Sequence, residues 1–191
     1  MSRDKEATRR RILEATRQRL EQGAPTRLED VAAAAGVTRQ TIYLHFGSRA
    51  GLLLALVAHI DEEHGLQDQV RRIEAKPDPV ERLEAALRLI ATYQRQIHTV
   101  AMALAHHAAT DPDSRAALDD RMEARRRLLR QLVEPLATAG RLHPDWTPDE
   151  IVDLLWEASA PTSYHHLVVE RHWPPDRYQT WLITLARTLL P

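Results

Sequence analysis

Hydrogen-bonding side chains are crowded into one short segment near the N-terminal end of the chain: Thr38, Arg39, Gln40, Thr41, Tyr43 and His45. An arginine can donate two hydrogen bonds to a guanine edge, and a glutamine can pair similarly with adenine, each pairing contributing roughly 1–3 kcal/mol of discrimination. So many donors and acceptors on one or two helical turns require a polar partner. These residue types therefore indicate contact with the base edges and phosphates of nucleic acid.

The residues around this segment predict two short helices joined by a tight turn. Gly36 can adopt the left-handed conformation that ends a helix, and the hydroxyl of Thr38 can cap the next helix. Upstream, Thr26 and Glu29 have the spacing of a capping box, which predicts that a helix starts at Thr26. An apolar stripe follows this start: Leu28, Val31, Ala32 and Ala35. Two short helices with a glycine turn form a helix-turn-helix, whose second helix enters the major groove.

The remaining sequence predicts further amphipathic helices, so the chain is expected to be all-α. One helix precedes the helix-turn-helix, over about residues 4–22, and Ser48 caps a long helix that runs to about residue 75. After the break at Lys76–Pro79, helices are predicted at about residues 80–93, 97–109, 112–139, 147–158 and 176–190. A solvated basic face is predicted on the helix after residue 112 by Arg125, Arg126, Arg127 and Arg130.

Composition and charge exclude several protein classes. The 191 residues include no cysteine, which excludes disulfides and thiolate metal sites. No apolar run approaches the ~20 residues of a membrane span and no apolar signal core is present, so a soluble cytoplasmic protein is expected. Residues 1–52 carry ten Lys and Arg against six Asp and Glu, whereas the remainder carries sixteen against twenty-one. The basic excess lies where a phosphate backbone would attract it.

Ten histidines raise the alternative of a metal-responsive helical regulator. The adjacent pairs His106–His107 and His165–His166 are the candidate ligands. Neighbouring residues of a helix point about 100° apart, so neither pair can readily chelate one ion. His98 and His106 also lack the i, i+4 spacing that would do so. A structural or merely polar role is therefore preferred for the histidines, and no metal or cofactor is predicted.

A hydrolase is a further alternative, based on Ser159 and His165. The sequence has no glycine-rich phosphate loop, nucleophile elbow or spaced carboxylate–histidine motif. A helical bundle also offers no oxyanion hole that can be predicted from sequence. The chain is therefore not expected to be an enzyme.

An ungapped run from Thr26 to Leu53 combines a capped helix, a glycine turn, a tyrosine followed by His-Phe, and a second cap. Its motifs are Thr26-Arg-Leu-Glu-Asp-Val-Ala32, Ala35-Gly-Val-Thr38, Thr41-Ile-Tyr-Leu-His-Phe46 and Ser48-Arg-Ala-Gly-Leu-Leu53. This run resembles the TetR family of bacterial transcriptional regulators. Trp156–Pro174, with the helix that follows, is similar to the last two helices of one TetR subgroup. Leu44 stands where the family frequently has a polar residue.

The resemblance implies which side chains contact DNA. Base edges would be read by Thr38, Arg39, Gln40 and Thr41. Phosphates and the sugar backbone would be contacted by Thr26, Tyr43, His45, Ser48 and Arg49. In addition, the arginine run of the first helix, centred on Arg10, is a phosphate contact expected beside a helix-turn-helix.

The resemblance also implies a homodimer that binds a palindromic operator, usually as a repressor, and releases it when a small effector binds. Residues 1–47 would form the three-helix DNA-binding domain, and 48–191 a bundle of about six helices for effector binding and dimerisation. Candidates for a pocket that accepts a small lipophilic effector are Tyr93, His98, Met102, His106, Met122, Trp156 and Tyr164. Trp181 and Leu185 are candidates for the dimer interface, because a symmetry mate can cover a terminal helix.

Overall fold

The computed structural model describes residues 3–191, and the regular elements of this part of the chain are all helical, which confirms the predicted fold class. One π-helical segment, His165–Glu170, separates the last two α-helices. The α-helices are α1 (Arg3–Glu21), α2 (Leu28–Ala35), α3 (Arg39–Phe46), α4 (Arg49–Glu63), α5 (Leu66–Glu74), α6 (Pro79–Ala108), α7 (Pro112–Thr138), α8 (Pro148–Ala158), α9 (Pro161–Tyr164) and α10 (Pro175–Thr188).

No single helix in residues 3–191 combines the length and hydropathy of a membrane span. Helices α3 and α4 meet that test only as a pair bent by 64°, by length and composition alone.

The chain folds into two compact units. Unit 1 consists of the chain up to His64 together with Thr99–Asp119, and unit 2 consists of Gly65–His98 and Asp120–Pro191. Helices α6 and α7 therefore contribute residues to both units. The division of function between residues 1–47 and 48–191 stays a prediction.

In unit 1, each of the first three helices turns an apolar stripe inward. Ile12, Val31 and Ile42, one from each helix, are all 0% exposed. Helix α4 adds Leu56, which is equally buried, and packs against both α1 and α3. Burial of a large aliphatic side chain contributes roughly 1.5–3 kcal/mol, so this shared core is what holds the short helix α3 in place.

The caps around α3 form as predicted. Gly36 ends α2 in the left-handed conformation with φ 64°. The Thr38 hydroxyl accepts a hydrogen bond from the Thr41 amide at 3.1 Å, and the Ser48 hydroxyl accepts one from the Gly51 amide at 3.0 Å. The end of α2 and the starts of α3 and α4 are thus determined by residues of the motif itself.

The predicted capping box at Thr26 is wrong. Helix α2 begins at Leu28, and its N-cap residue, Arg27, makes no side-chain cap. The physical reason is that both members of the box have tertiary partners. The Thr26 hydroxyl lies 3.1 Å from Nε2 of His107, and Glu29 forms an ion pair with Arg39.

Two predicted helix boundaries also differ from the structure. The long helix after Ser48 is divided into α4 and α5, because Gly65 adopts the left-handed conformation with φ 58° between them. Conversely, the predicted helices at 80–93 and 97–109 are the single helix α6, since residues 94–96 contain no glycine or proline that would end it. Seven α-helices therefore follow α3 in the described chain, where about six were expected.

In unit 2, an apolar core is shared by α6, α7, α8 and α10. Leu87, Leu129, Leu155 and Leu182 are each 0% exposed, one from each of these helices. The core also encloses Tyr178, whose hydroxyl donates a hydrogen bond of 2.9 Å to the carbonyl of Ala158. Since a buried hydroxyl without a partner is costly, this bond determines how α10 and the end of α8 are aligned.

Candidate nucleic-acid interface

Helix α3 presents a narrow outer face opposite its buried anchor. Ile42 is 0% exposed, and successive residues of a helix turn by about 100°, so Gln40 and Leu44 point furthest away from it. Leu44 is 76% exposed and Tyr43 41%, which is unusual for large apolar side chains. Gln40 is exposed as well, and Thr41 is half-buried beside it. This outer face can enter a DNA groove without disturbing the core.

Arg39 lies at the side of α3, next to α2. Its Nη1 donates a hydrogen bond of 2.6 Å to Oε1 of Glu29, and its Nη2 donates one of 3.0 Å to the Tyr43 hydroxyl. The guanidinium also lies 5.4 Å from the centre of the Tyr43 ring. The Tyr43 hydroxyl and then the Glu29 carboxylate raise the pKa of Arg39. In this structure, therefore, the Glu29 carboxylate holds Arg39 beside the outer face of α3. A DNA base or phosphate would have to replace this acid to bind Arg39.

Replacing Glu29 by glutamine is expected to tighten DNA binding. An exposed ion pair of this kind adds little to stability, and its loss frees Arg39 and removes one negative charge from the interface. We expect the dissociation constant for duplex DNA to fall by up to about 5-fold at low salt, with a smaller change at high salt. Fluorescence anisotropy at two salt concentrations measures this effect. The matched control is Glu21→Gln, which removes an acid from the C-terminal end of α1; equal tightening in both variants would contradict the role of Glu29.

The region behind α3 is basic and partly buried. Arg9 of α1 lies 4.8 Å from the centre of the Phe46 ring, and its Nη1 is 3.5 Å from the carbonyl oxygen of His45. Burial, followed by the charges of Lys5 and Arg9, lowers the pKa of His45, which favours the neutral imidazole in the protein without DNA. Arg10, the predicted phosphate contact of α1, is fully available because its side chain is exposed.

The structure brings two predicted phosphate contacts together through a histidine at the end of α6. Nη1 of Arg49 lies 3.2 Å from Nδ1 of His107, and Nε2 of the same ring lies 3.1 Å from the Thr26 hydroxyl. An arginine can only donate, so Nδ1 is the acceptor and Nε2 carries the proton that is donated to Thr26. Burial, then Arg49 and His106, lowers the pKa of His107, which favours this neutral form.

The contacts with His107 therefore affect whether Thr26 and Arg49 can contact a DNA phosphate. Thr26 is 6% exposed, so in this structure its hydroxyl binds His107 of α6 and does not face solvent. Ser48 is half-buried and caps α4 with its side chain. From the sequence, His107 was considered only as half of a metal-binding pair. Its position at the end of α6, immediately before the turn, was the feature that could have indicated its contacts with Thr26 and Arg49.

The predicted effector residues fall into separate groups. Met102 and His106 belong to unit 1, and the other five belong to unit 2. Within unit 2, the His98 and Tyr164 rings are 5.5 Å apart, and Nε1 of Trp156 donates a hydrogen bond of 3.2 Å to the carbonyl of Met122. Tyr93 is half-buried on α6. A separate surface depression of about 470 Å³ is lined by Gln131, Glu134, Pro135, Thr138 and Ala139.

The expectation that Arg125 belongs to a solvated basic face is wrong. All three guanidinium nitrogens of Arg125 are buried, and the group lies 4.8 Å from the centre of the Trp156 ring. The burial of Arg125 could have been predicted from its spacing, because Met122, Arg125 and Leu129 follow the i, i+3, i+7 pattern of a helix face that points inward. Arg127 and Arg130, by contrast, are exposed as predicted.

Ser159, the candidate nucleophile of the hydrolase alternative, has an ordinary structural partner. Ser159 is 0% exposed, and its hydroxyl donates a hydrogen bond of 2.6 Å to the carbonyl of Leu155 one turn earlier. Within residues 3–191, no group of three or more His, Cys, Asp or Glu side chains has the arrangement of a metal site. At the C-terminus, Trp181 and Leu185 are half-buried and pack against the core of unit 2, and their role between protomers stays a prediction.

Known proteins are similar to this chain in the segment that contains the predicted DNA contacts. The model for bacterial regulatory proteins of the tetR family matches residues 12–56. Along its length the chain is similar to the HTH-type transcriptional repressor LfrR of Mycolicibacterium smegmatis, with 30% identity over 193 residues, covering 96% of this chain and 95% of that protein.

Two solved structures share the fold. The first is NalD, the secondary repressor of the MexAB-OprM multidrug efflux pump in Pseudomonas aeruginosa, at 23% identity and a TM-score of 0.71, covering 98% of this chain and 97% of that chain. The second is a transcriptional regulator of Saccharomonospora viridis solved in complex with choline, at 21% identity and a TM-score of 0.73, covering 97% of this chain and 98% of that chain.

Proposed function

The chain belongs to the TetR family of bacterial transcriptional regulators, and we propose that it represses transcription by binding a palindromic operator as a homodimer until a small-molecule effector releases it. The observation that carries the proposal is the outer face of α3. Ile42 anchors this helix in the core of unit 1, while Gln40, Tyr43 and Leu44 point into solvent. That arrangement suits a recognition helix, since its outward side chains can reach base edges without loss of core packing.

Direct base reading is assigned to the outer face and its edges. Gln40 can pair with adenine, Arg39 can pair with guanine once it leaves Glu29, and the exposed Leu44 can pack against a thymine methyl group. Thr38 and Thr41 stand at the N-terminal end of α3, where the amides of the first turn also favour phosphate. Tyr43, His45, Ser48, Arg49 and Arg10 are assigned to the backbone, which positions the protein but carries no sequence information.

Regulation is proposed to act through the separation of the two recognition helices of a dimer. The two α3 helices must lie about 34–36 Å apart, or a multiple of it, to reach successive major grooves of a palindrome. An effector that binds better to a dimer with another separation lowers DNA affinity by that difference in affinity. Unit 2 is assigned to the effector and, through Trp181 and Leu185, to the dimer contact. As DNA is its partner, we place the protein in the cytoplasm.

The test is binding of the purified protein to a palindrome from its own promoter region. We expect fluorescence anisotropy to give about 1,000-fold or more tighter binding to the palindrome than to a scrambled duplex of equal length and composition, the lower end of the range of specific regulators. Sedimentation at micromolar concentration should give a dimer. Equal affinity for both duplexes would refute sequence-specific reading, and a monomer would refute the dimeric mode of binding.

A further inference from the structure

Unit 2 contains a buried positive charge whose hydrogen bonds are not satisfied. Nε, Nη1 and Nη2 of Arg125 are all buried and have no acceptor among the residues that the structure describes. One face of the guanidinium lies against Trp156, at 4.8 Å from the ring centre. A stacked guanidinium still presents its N–H groups at the edge of its plane, so Arg125 is a complete donor fork without its acceptor.

Electrostatics shows how incompletely the protein compensates this charge. Burial lowers the pKa of Arg125 to about 10, and the smaller attractions of Tyr178 and Glu157 oppose this shift only in part. The group nevertheless remains protonated at pH 7. A buried charge without a partner destabilises a fold, whereas a partner of opposite charge removes that cost.

Three more buried atoms without partners lie in the same unit. One is Nε of the neighbouring Arg126, although Nη2 of the same side chain pairs with Asp153 at 2.7 Å. Oε1 of Gln94 has no donor, although Nε2 of the same side chain binds the carbonyl of Ser159 at 2.8 Å. Nδ1 of His165 is also unpaired, at the start of the π-helical segment. Irregular helical turns of this kind are frequent at functional sites.

Aromatic rings connect these groups. The His165 and His98 rings are 6.0 Å apart, His98 and Tyr164 are 5.5 Å apart, and Tyr164 and Tyr178 are 5.2 Å apart. Tyr178 in turn interacts electrostatically with Arg125. These contacts link His165 and Arg125 within one aromatic-lined region of unit 2, built from α6, α7, α9, α10 and the π-helical segment, with Trp156 of α8. Gln94 joins this region through Ser159, the neighbour of Ala158, whose carbonyl accepts the hydrogen bond of Tyr178.

We propose that this region binds a small monocarboxylate with an apolar body, held by the Arg125 fork and packed on Trp156. The assignment of this ligand as the effector rests on the proposed regulatory function. A carboxylate accepts two parallel hydrogen bonds from a guanidinium, which supplies both the charge and the acceptors that Arg125 lacks. An uncharged lipophilic molecule would leave the guanidinium unpaired and remove it further from water.

The charge of the site favours a monoanion over a phosphate. The neighbouring Arg126 is already neutralised by Asp153 at 2.7 Å, and Arg95 of α6 faces Asp176 at 3.7 Å. Arg125 thus supplies one uncompensated positive charge, which one carboxylate neutralises, whereas a phosphate carries about −1.5 to −2 at pH 7. The ring-lined surroundings provide apolar area for the remainder of the ligand.

The test compares acids with their uncharged amides. Benzoate, octanoate and indole-3-acetate, each beside its primary amide, are titrated into the full-length protein and followed by calorimetry and thermal shift. We expect at least one acid to bind about 10-fold or more tightly than its amide, as a charge-assisted hydrogen-bond pair requires. If no acid is preferred over its amide at millimolar concentration, the proposal is overturned.

The variant Arg125→Met tests the residue, and Arg126→Met is its matched control. In Arg125→Met the preference for acid over amide should disappear, while Arg126→Met should retain it. Because Arg125→Met removes an uncompensated buried charge, the ligand-free variant should also be folded and melt about 3 °C or more above the wild type. Retained acid preference in Arg125→Met places the acid elsewhere and overturns the proposal.

A separate measurement distinguishes this site from the regulatory proposal. The acid preferred in calorimetry is added to the complex with the palindromic duplex, and release is followed by anisotropy. Release that is lost in Arg125→Met supports the effector assignment. Binding of the acid without release overturns that assignment, and failure of the ligand-free protein to select the palindrome overturns the proposed function itself.

Discussion

Replacing Arg39 and Gln40 together by alanine is expected to weaken binding to the palindromic operator by about 30-fold or more. Each side chain can form a bidentate pair with a base, and loss of two such pairs costs at least about 2 kcal/mol. Binding to a scrambled duplex should weaken much less, because only one positive charge is removed. The ratio of the two affinities, measured by anisotropy at constant salt, is therefore the quantity that should fall.

The chain offers a closely matched control for this double variant. Arg130 and Gln131 are also adjacent, exposed and on a helix, but they lie on α7 in unit 2. Their replacement by alanine changes composition and charge in the same way and should leave the ratio unchanged. An unchanged ratio in the Arg39 and Gln40 variant would instead transfer base reading to other side chains of α3, with Leu44 the first to test.

Replacing Gly51 by alanine is expected to destabilise the protein by roughly 2–3 kcal/mol, the upper part of the range for overpacked sites. An added Cβ would lie 2.0 Å from the carbonyl oxygen of Phe46, a backbone atom that cannot rotate away. Gly51 has no positive φ, unlike the other five glycines, so its role is to allow this close approach. The contact lies at the corner where α4 leaves α3 at a bend of 64°.

Helix propensity predicts the opposite sign for this substitution, which makes the test decisive. Alanine is favoured over glycine within a helix by about 1 kcal/mol, so a site without a steric constraint would gain stability. The matched control is Ala58→Gly, an exposed position on the same helix, which should lose about 1 kcal/mol through propensity alone. Urea unfolding measures both variants. Equal or greater stability of Gly51→Ala would show that the corner can open without cost.

The DNA-binding consequence of Gly51→Ala follows from the same corner. Opening it moves the C-terminal end of α3 relative to the core, because Gly47 and Ser48 leave a short connection between the two helices. Operator affinity should therefore fall together with stability. If affinity is retained while stability is lost, the position of α3 depends on Ile42 and the Thr38 cap more than on its junction with α4.

Much of unit 1 was predictable because its determinants are local. Gly36, Thr38 and Ser48 act within four residues of their own position, and their caps form as the sequence indicates. The apolar period places Ile42 inside and its opposite face outside in any packing arrangement. The likeness to the TetR family added the assignment to DNA, which agrees with the matched family model and the similar repressor.

Other features depended on partners distant in sequence. Thr26 and Glu29 have the spacing of a local cap, but each binds a more distant side chain, His107 and Arg39 respectively. A local pattern could not predict this outcome, because the competing partners meet only when the helices pack. Two helix boundaries, by contrast, could be predicted from glycine alone. Gly65 indicates the break in the helix after Ser48, and the absence of glycine from residues 94–96 indicates that α6 is continuous there.

The sequence by itself determined the all-helical class, the position of α3 and the side chains on its outer face, since capping and helical period act over a few residues. Only the tertiary structure decided which charged groups lose contact with water. Arg125 and Arg127 are two residues apart with the same side chain, yet one is buried against Trp156 and the other is exposed. The difference arises because burial of a charge depends on which helices surround it, and those neighbours are set by packing across the whole unit.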